Sequence, residues 1–76
     1  MSRVRYKGSN EGSGVEWFEV GVGFIRVWFT SGGGYEFTEE RPGKHHVEVM
    51  KRLAFAGRGL SSYISRNVNA NFARKL

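Results

Sequence analysis

The spacing of apolar residues predicts a two-layer α+β domain: a three-stranded antiparallel meander followed by two helices packed on one face (βββαα). Three observations carry this reading. Val15–Val20, Phe24–Thr30 and Tyr35–Thr38 are short runs rich in β-branched and aromatic residues that divide into two faces with period two. The breaks in that pattern are short and glycine-rich, as hairpin connections require. From Lys44 onward the period becomes helical, and Gly57 is placed as a stop.

The elements follow in order. In the opening MSRVRYKGSNEGSG, Val4 and Tyr6 alternate with Arg3, Arg5 and Lys7. Residues 1–12 are thus either an edge strand or a basic flexible arm ahead of a domain over 13–76, and 7–14 read as a flexible turn region. Val15–Val20 is a strand with Phe18 and Val20 inward and Trp17 and Glu19 outward, ending at Gly21-Val22-Gly23. Phe24–Thr30 is the second strand. Ile25, Val27 and Phe29 share one face, and Phe24, Arg26, Trp28 and Thr30 share the other. Ser31-Gly32-Gly33-Gly34 supplies a hairpin loop, and Tyr35–Thr38 completes the meander with Tyr35 and Phe37 on the inner face.

Glu39-Glu40-Arg41-Pro42-Gly43 ends the strand pattern. In the first helix, Lys44–Ala56, the apolar stripe reads Val49, Met50, Leu53 and Ala56, with Glu48, Lys51 and Arg52 on the wetter side. After Gly57-Arg58-Gly59, Leu60, Tyr63, Ile64 and Val68 form a second stripe. Asn67, Asn69 and Asn71 are poor interior helix residues, so this helix ends near Val68. Phe72 and Leu76 either pack back on the domain or sit in a loose tail.

Composition narrows the class. The chain has 76 residues and no Cys, enough for one small domain that buries roughly 60% of its unfolded surface and lacks a disulfide frame or thiolate metal site. No apolar run approaches the ~20 residues of a membrane span, and no signal-peptide core is present, so a cytoplasmic protein with no membrane partner is expected. Charge is unevenly spread: residues 1–10 carry +3, residues 11–48 carry −4 and residues 49–76 carry +6. All seven acids are Glu, and none follows Glu48. A basic end of this kind suggests a polyanionic partner.

Catalysis finds little support. A nucleophile–base pair would have to use Ser61 or Ser62, one of the adjacent His45 and His46, and a Glu, with nothing in the spacing to favour it. Adjacent helical histidines point about 100° apart, so His45 and His46 are not a helix-borne zinc pair, and no metal or cofactor is expected. Ser31–Gly34 lacks the strand-to-helix context and Lys of a phosphate-cradling loop.

The order Ile25-x-Val27-x-Phe29, glycines, Tyr35-x-Phe37, Pro42, a short helix, Gly59 and Ile64 resembles the KTSC family. That family takes its name from a domain at the C-terminus of some lysyl-tRNA synthetases, and its short members are free-standing bacterial and phage proteins. The resemblance spans about residues 13–72 and implies a small α+β domain associated with RNA. The chain departs from the family pattern at Leu60-Ser61-Ser62, where an aromatic pair and Asn stand, and at Ser65, where an Arg stands.

Two surfaces are candidates. Arg58 between two glycines, with Ser61, Ser62, Lys51, Arg52 and Arg66, suits phosphate contacts. Arg3, Arg5, Arg74 and Lys75 would be loose basic arms around that site. The outer sheet face carries Trp17, Trp28, Arg26 and Phe24, residue types favoured at interface centres. There, Val4 and Tyr6 would fold over the tryptophans, a protein would dock, or bases would stack. Glu16, Glu19 and Glu36 make that face repulsive to phosphate. The expectation is therefore a non-catalytic module binding nucleic acid, RNA rather than DNA, through its helical face. The alternative is a protein-interaction module, for example a phage-type protein docking on an acidic host enzyme or defence complex, or forming a homodimer, through its tryptophan face.

Overall fold

The computed structural model describes residues 3–8, 14–68 and 71–76. Much of the turn region expected over 7–14, and Asn69, fall outside the described residues. The chain is α+β, with a single antiparallel sheet in the order β1 (Val4–Arg5), β2 (Val15–Gly21), β3 (Phe24–Phe29), β4 (Gly34–Thr38) and β5 (Arg74–Lys75). Helix α1 (Lys44–Ala56) and a short α2 (Leu60–Tyr63), which runs on as a π-helical turn over Ile64–Val68, lie on one face. The meander is as expected, but the sheet has five strands rather than three. Each added edge strand pairs over only two residues, too few for an alternating pattern to be visible in sequence.

Strand β2 does not keep a strict period of two. Val15 and Phe18 are both buried although three residues apart, because the register slips between Val15 and Trp17. A bulge of this kind lets residues of opposite parity share a face. Beyond it, Phe18 pairs with Val27 on the inner side and Trp17 with Trp28 on the outer side. The hairpin from β3 to β4 closes with Phe29 N–H donating to Gly33 C=O at 2.8 Å, and Gly32 takes a φ of 106° that a side chain would resist.

Helix α1 buries Val47, Met50 and Ala54; of the expected stripe Val49, Met50, Leu53 and Ala56, Met50 is buried, Val49 and Leu53 are half-buried and Ala56 is exposed. The seam is rotated toward Val47, whose inward position is masked in sequence by the polar Lys44-His45-His46 before it. Lys51, placed on the wet side by periodicity, lies half-buried at the seam and donates to Gly21 C=O at 2.9 Å. The helix stops where Gly57 adopts φ 76° and gives its N–H to Leu53 and Ala54.

Leu60, Ile64 and Val68 are buried at intervals of four. Such a spacing drifts by about 40° per step on a 3.6-residue helix. The wider π-helical turn over Ile64–Val68 cancels that drift and keeps all three side chains on the sheet.

The N-terminal segment enters the core. Tyr6 is 1% exposed and meets Phe18 edge-on, with ring centroids 6.5 Å apart. Its N–H donates to Glu16 C=O at 2.9 Å, and its hydroxyl accepts the buried Leu60 N–H at 3.2 Å. One side chain thus ties the first strand to the start of α2, 54 residues away. Tyr6→Phe leaves that amide without its acceptor, so urea unfolding should show a loss of about 1–3 kcal/mol with an unchanged m-value. An unaltered midpoint would mean that the hydroxyl is not the bond that holds α2.

Candidate nucleic-acid interface

The outer sheet face is built as two cross-strand rows. In one, Arg5, Trp17, Trp28 and Gly34 stand opposite one another on successive strands. In the other, Glu19, Arg26, Glu36 and Arg74 alternate in sign from β2 to β5. Arg26 Nη1 donates to Glu19 at 2.9 Å, and its Nε donates to Glu36 at 2.7 Å. Arg74 reaches the same Glu36 oxygen at 3.3 Å. The Arg26 guanidinium also lies over the Phe24 ring at 4.6 Å. These hydrogen bonds, first from Arg26 and then from Arg74, hold the Glu36 carboxyl below its ordinary value against the opposing effect of burial. Bonding to Glu36 and then Glu19 raises Arg26 correspondingly.

Tyr6 does not cover the tryptophans, because its side chain turns to the helix side. Arginines cover them instead: Arg3 stands 5.1 Å from Trp28 and 5.5 Å from Trp17, and Arg5 stands 5.4 Å from Trp17. Trp28 lies flat against Gly34, where a Cβ would collide with its indole. Of Glu16, Glu19 and Glu36, the acids expected to repel phosphate on this face, Glu19 and Glu36 are offset by arginine. Both carboxylates are engaged by arginine, and Arg3 and Arg5 add positive charge.

The helical layer differs. Residues 44–68 carry Lys44, Lys51, Arg52, Arg58 and Arg66 against Glu48. Lys51 is committed to Gly21 C=O and approaches Glu48 at 3.6 Å. Arg52, Arg58 and Arg66 are exposed, and no other described residue makes an ion pair or hydrogen bond with their side chains. Arg58 projects from a turn whose two glycines take φ 76° and 80°. Lys7 packs its aliphatic stem on Gly57 and so sets a further cation beside that turn.

The six residues expected to bind phosphate are not gathered at one point. Lys51 sits at the Gly21 end of β2, while the Ser61 hydroxyl lies against Gly14, just before the strand begins. At about 3.3 Å per residue, these are roughly 20 Å apart along the strand. Ser62 and Arg66, four residues apart and both exposed, share one stripe of α2 and its π-helical extension, with Arg58 just ahead of it. Ser61 turns inward on the neighbouring stripe. The Leu60 amide at the start of α2 is occupied by Tyr6.

Ser61 lines a cavity of about 310 Å³ between the inner sheet face and the α2 segment. Phe29 and Tyr35 form one wall, Phe72 another, and Ser65 the rim, over a floor of Phe37 and Ile64. Tyr35 contacts Phe29 at 5.8 Å and Phe72 at 4.7 Å between centroids. Phe72 is held there because Ala73 N–H donates to Glu36 C=O and Arg74 pairs in β5. Periodicity assigns Phe29, Tyr35 and Phe37 to the core, so this cavity is invisible to it. The available signal is that four aromatics are too many for the short α2 segment to cover.

His46 Nδ1 shares a 2.7 Å hydrogen bond with the Tyr63 hydroxyl, linking α1 to α2. Among the described residues no three His, Asp or Glu side chains converge. Among the same residues no helix is long and apolar enough to cross a membrane.

A scan against protein-family models gives no match, and searches of curated proteins and of solved structures likewise give none.

The depressed Glu36 value sets a pH dependence. Its stabilisation is fully present above the unfolded glutamate value of about 4.3 and is lost as pH falls through the lower folded value. Glu36→Gln should therefore unfold about 1–3 kcal/mol more easily in urea at pH 7. That deficit should shrink as pH falls below about 4.3 and through the lower folded value, and a deficit independent of pH would show that the carboxylate charge is not what matters.

Proposed function

We propose that the chain is a non-catalytic module that binds nucleic acid, RNA in preference to DNA, through the basic helical layer. The observation that carries this reading is the contrast between its two faces. On the sheet, arginines pair with carboxylates or lie on aromatic rings. On the helical layer, Arg52, Arg58 and Arg66 are exposed and unpaired among the described residues. A guanidinium without a protein partner is ready to take a phosphate in its bidentate fork, and several of them give sequence-independent affinity. The resemblance to a domain attached to a tRNA-charging enzyme supports RNA as the polyanion.

The second reading, a protein-interaction or self-association surface at Trp17 and Trp28, has its own observation. The two indoles are half-buried and directly opposite in register on the face away from the helices. Such a cross-strand aromatic pair has the composition of an interface centre. If it joins two copies, light scattering should give twice the chain mass, and Trp28→Ala should restore the monomer.

For the first reading, fluorescence anisotropy of labelled RNA should show retention at ~50 mM salt that weakens steeply by ~200 mM. Arg58→Ala with Arg66→Ala should lower affinity alike for all sequences and reduce the salt slope by about 1.4, two single-strand phosphate contacts. Absence of retention of RNA or DNA at ~50 mM salt would overturn this reading.

A further inference from the structure

We infer that the cavity beside α2 takes one unstacked nucleobase of single-stranded RNA. The inference rests on the phosphate-binding reading above and gives that interface its base contact. A cavity of about 310 Å³ is small for a ligand site and suits one ring system rather than a large molecule. Its walls are the rings of Phe29, Tyr35 and Phe72, surfaces on which any base can stack.

The polar groups narrow the occupant. Ser61 and Ser65 are four residues apart on the stripe that faces the cavity, and neither hydroxyl bonds to another described residue. Each can donate and accept. An alkyl chain or an aliphatic side chain offers neither hydroxyl a hydrogen-bond partner, whereas a base presents donors and acceptors on its edge. Tyr35 is the only titratable residue among the described lining groups, so the part that enters is neutral. The charge belongs outside, where Arg66, unpaired among the described residues, follows Ser65 and Arg58 precedes Ser61 by three positions. A neutral flat ring with polar edges, carried beside an anion, is a nucleotide. A base stacked in a duplex cannot enter, so the strand is single.

The test uses the whole chain and a labelled single-stranded RNA of roughly ten residues, with a matched strand carrying internal abasic sites. Ser65→Phe fills the mouth from an exposed position on the rim. It should weaken binding of intact RNA about tenfold while leaving the salt slope unchanged, because the phosphate contacts persist. The abasic strand should bind wild type about tenfold more weakly than the intact strand, and Ser65→Phe should weaken it no further. If Ser65→Phe does not fold, the comparison of intact and abasic strands on wild type decides the matter without it. Equal affinity for the two strands overturns this inference, and if the salt slope still falls in the arginine variants, the phosphate reading stands. Absence of RNA retention by wild type overturns both.

Discussion

The Arg26 guanidinium is the interaction on which the sheet's outer face depends. It joins Glu19 on β2 to Glu36 on β4 while lying across Phe24, and Arg74 extends the row to β5. Four strands are thus linked through one alternating line of charge. The acids are only slightly exposed, with side-chain exposures of 10% for Glu19 and 14% for Glu36. In that setting, removing the central cation would take a charged partner from two largely desolvated carboxylates on either side of β3. Partly buried ion pairs are costly to break from one side, which makes Arg26 a structural residue more than a recruiting one.

That commitment determines what each face has left to offer. The sheet consumes its arginines internally, in ion pairs and on indole rings. The helical layer has few carboxylates, and among the described residues its exposed Arg52, Arg58 and Arg66 have no ion-pair partner. An excess of exposed positive charge on one layer attracts an anion from outside. The same layer borders the cavity, because α2 is too short to cover the whole aromatic row of β3 and β4. An incomplete cover and an uncompensated charge therefore occur on the same side of the molecule.

Strand and helix identity were legible because each rests on local spacing. The alternation of Ile25, Val27 and Phe29, the glycine turns and the stop at Gly57 all act within a few residues. Where an element's position depends on its partner, legibility fails. The seam of α1 is formed by Val47, Met50 and Ala54 packing on the core with Lys51 reaching the Gly21 carbonyl, and the bulge in β2 appears only in its pairing with β3. Edge strands of two residues have no period at all. Of the candidate site, Arg52, Arg58 and Arg66 were visible as unmatched charge. The division of Ser61 from Ser62 between cavity and surface was not, since adjacent residues on a helix point about 100° apart and only packing chooses which turns inward.

Sequence alone thus settled the α+β class, the glycine punctuation and the excess of positive charge after Glu48, all properties of composition and short-range pattern. Tertiary structure decided which charges pair among the described residues, that Arg3 and Arg5 rather than Tyr6 cover the tryptophans, and that a cavity exists. Those outcomes depend on partners 7, 10 and 54 residues apart, as with Arg26 and Glu19, Arg26 and Glu36, and Tyr6 and Leu60. Periodicity states which face a residue occupies. Only the folded chain brings to that face the distant residue that satisfies it or leaves it open.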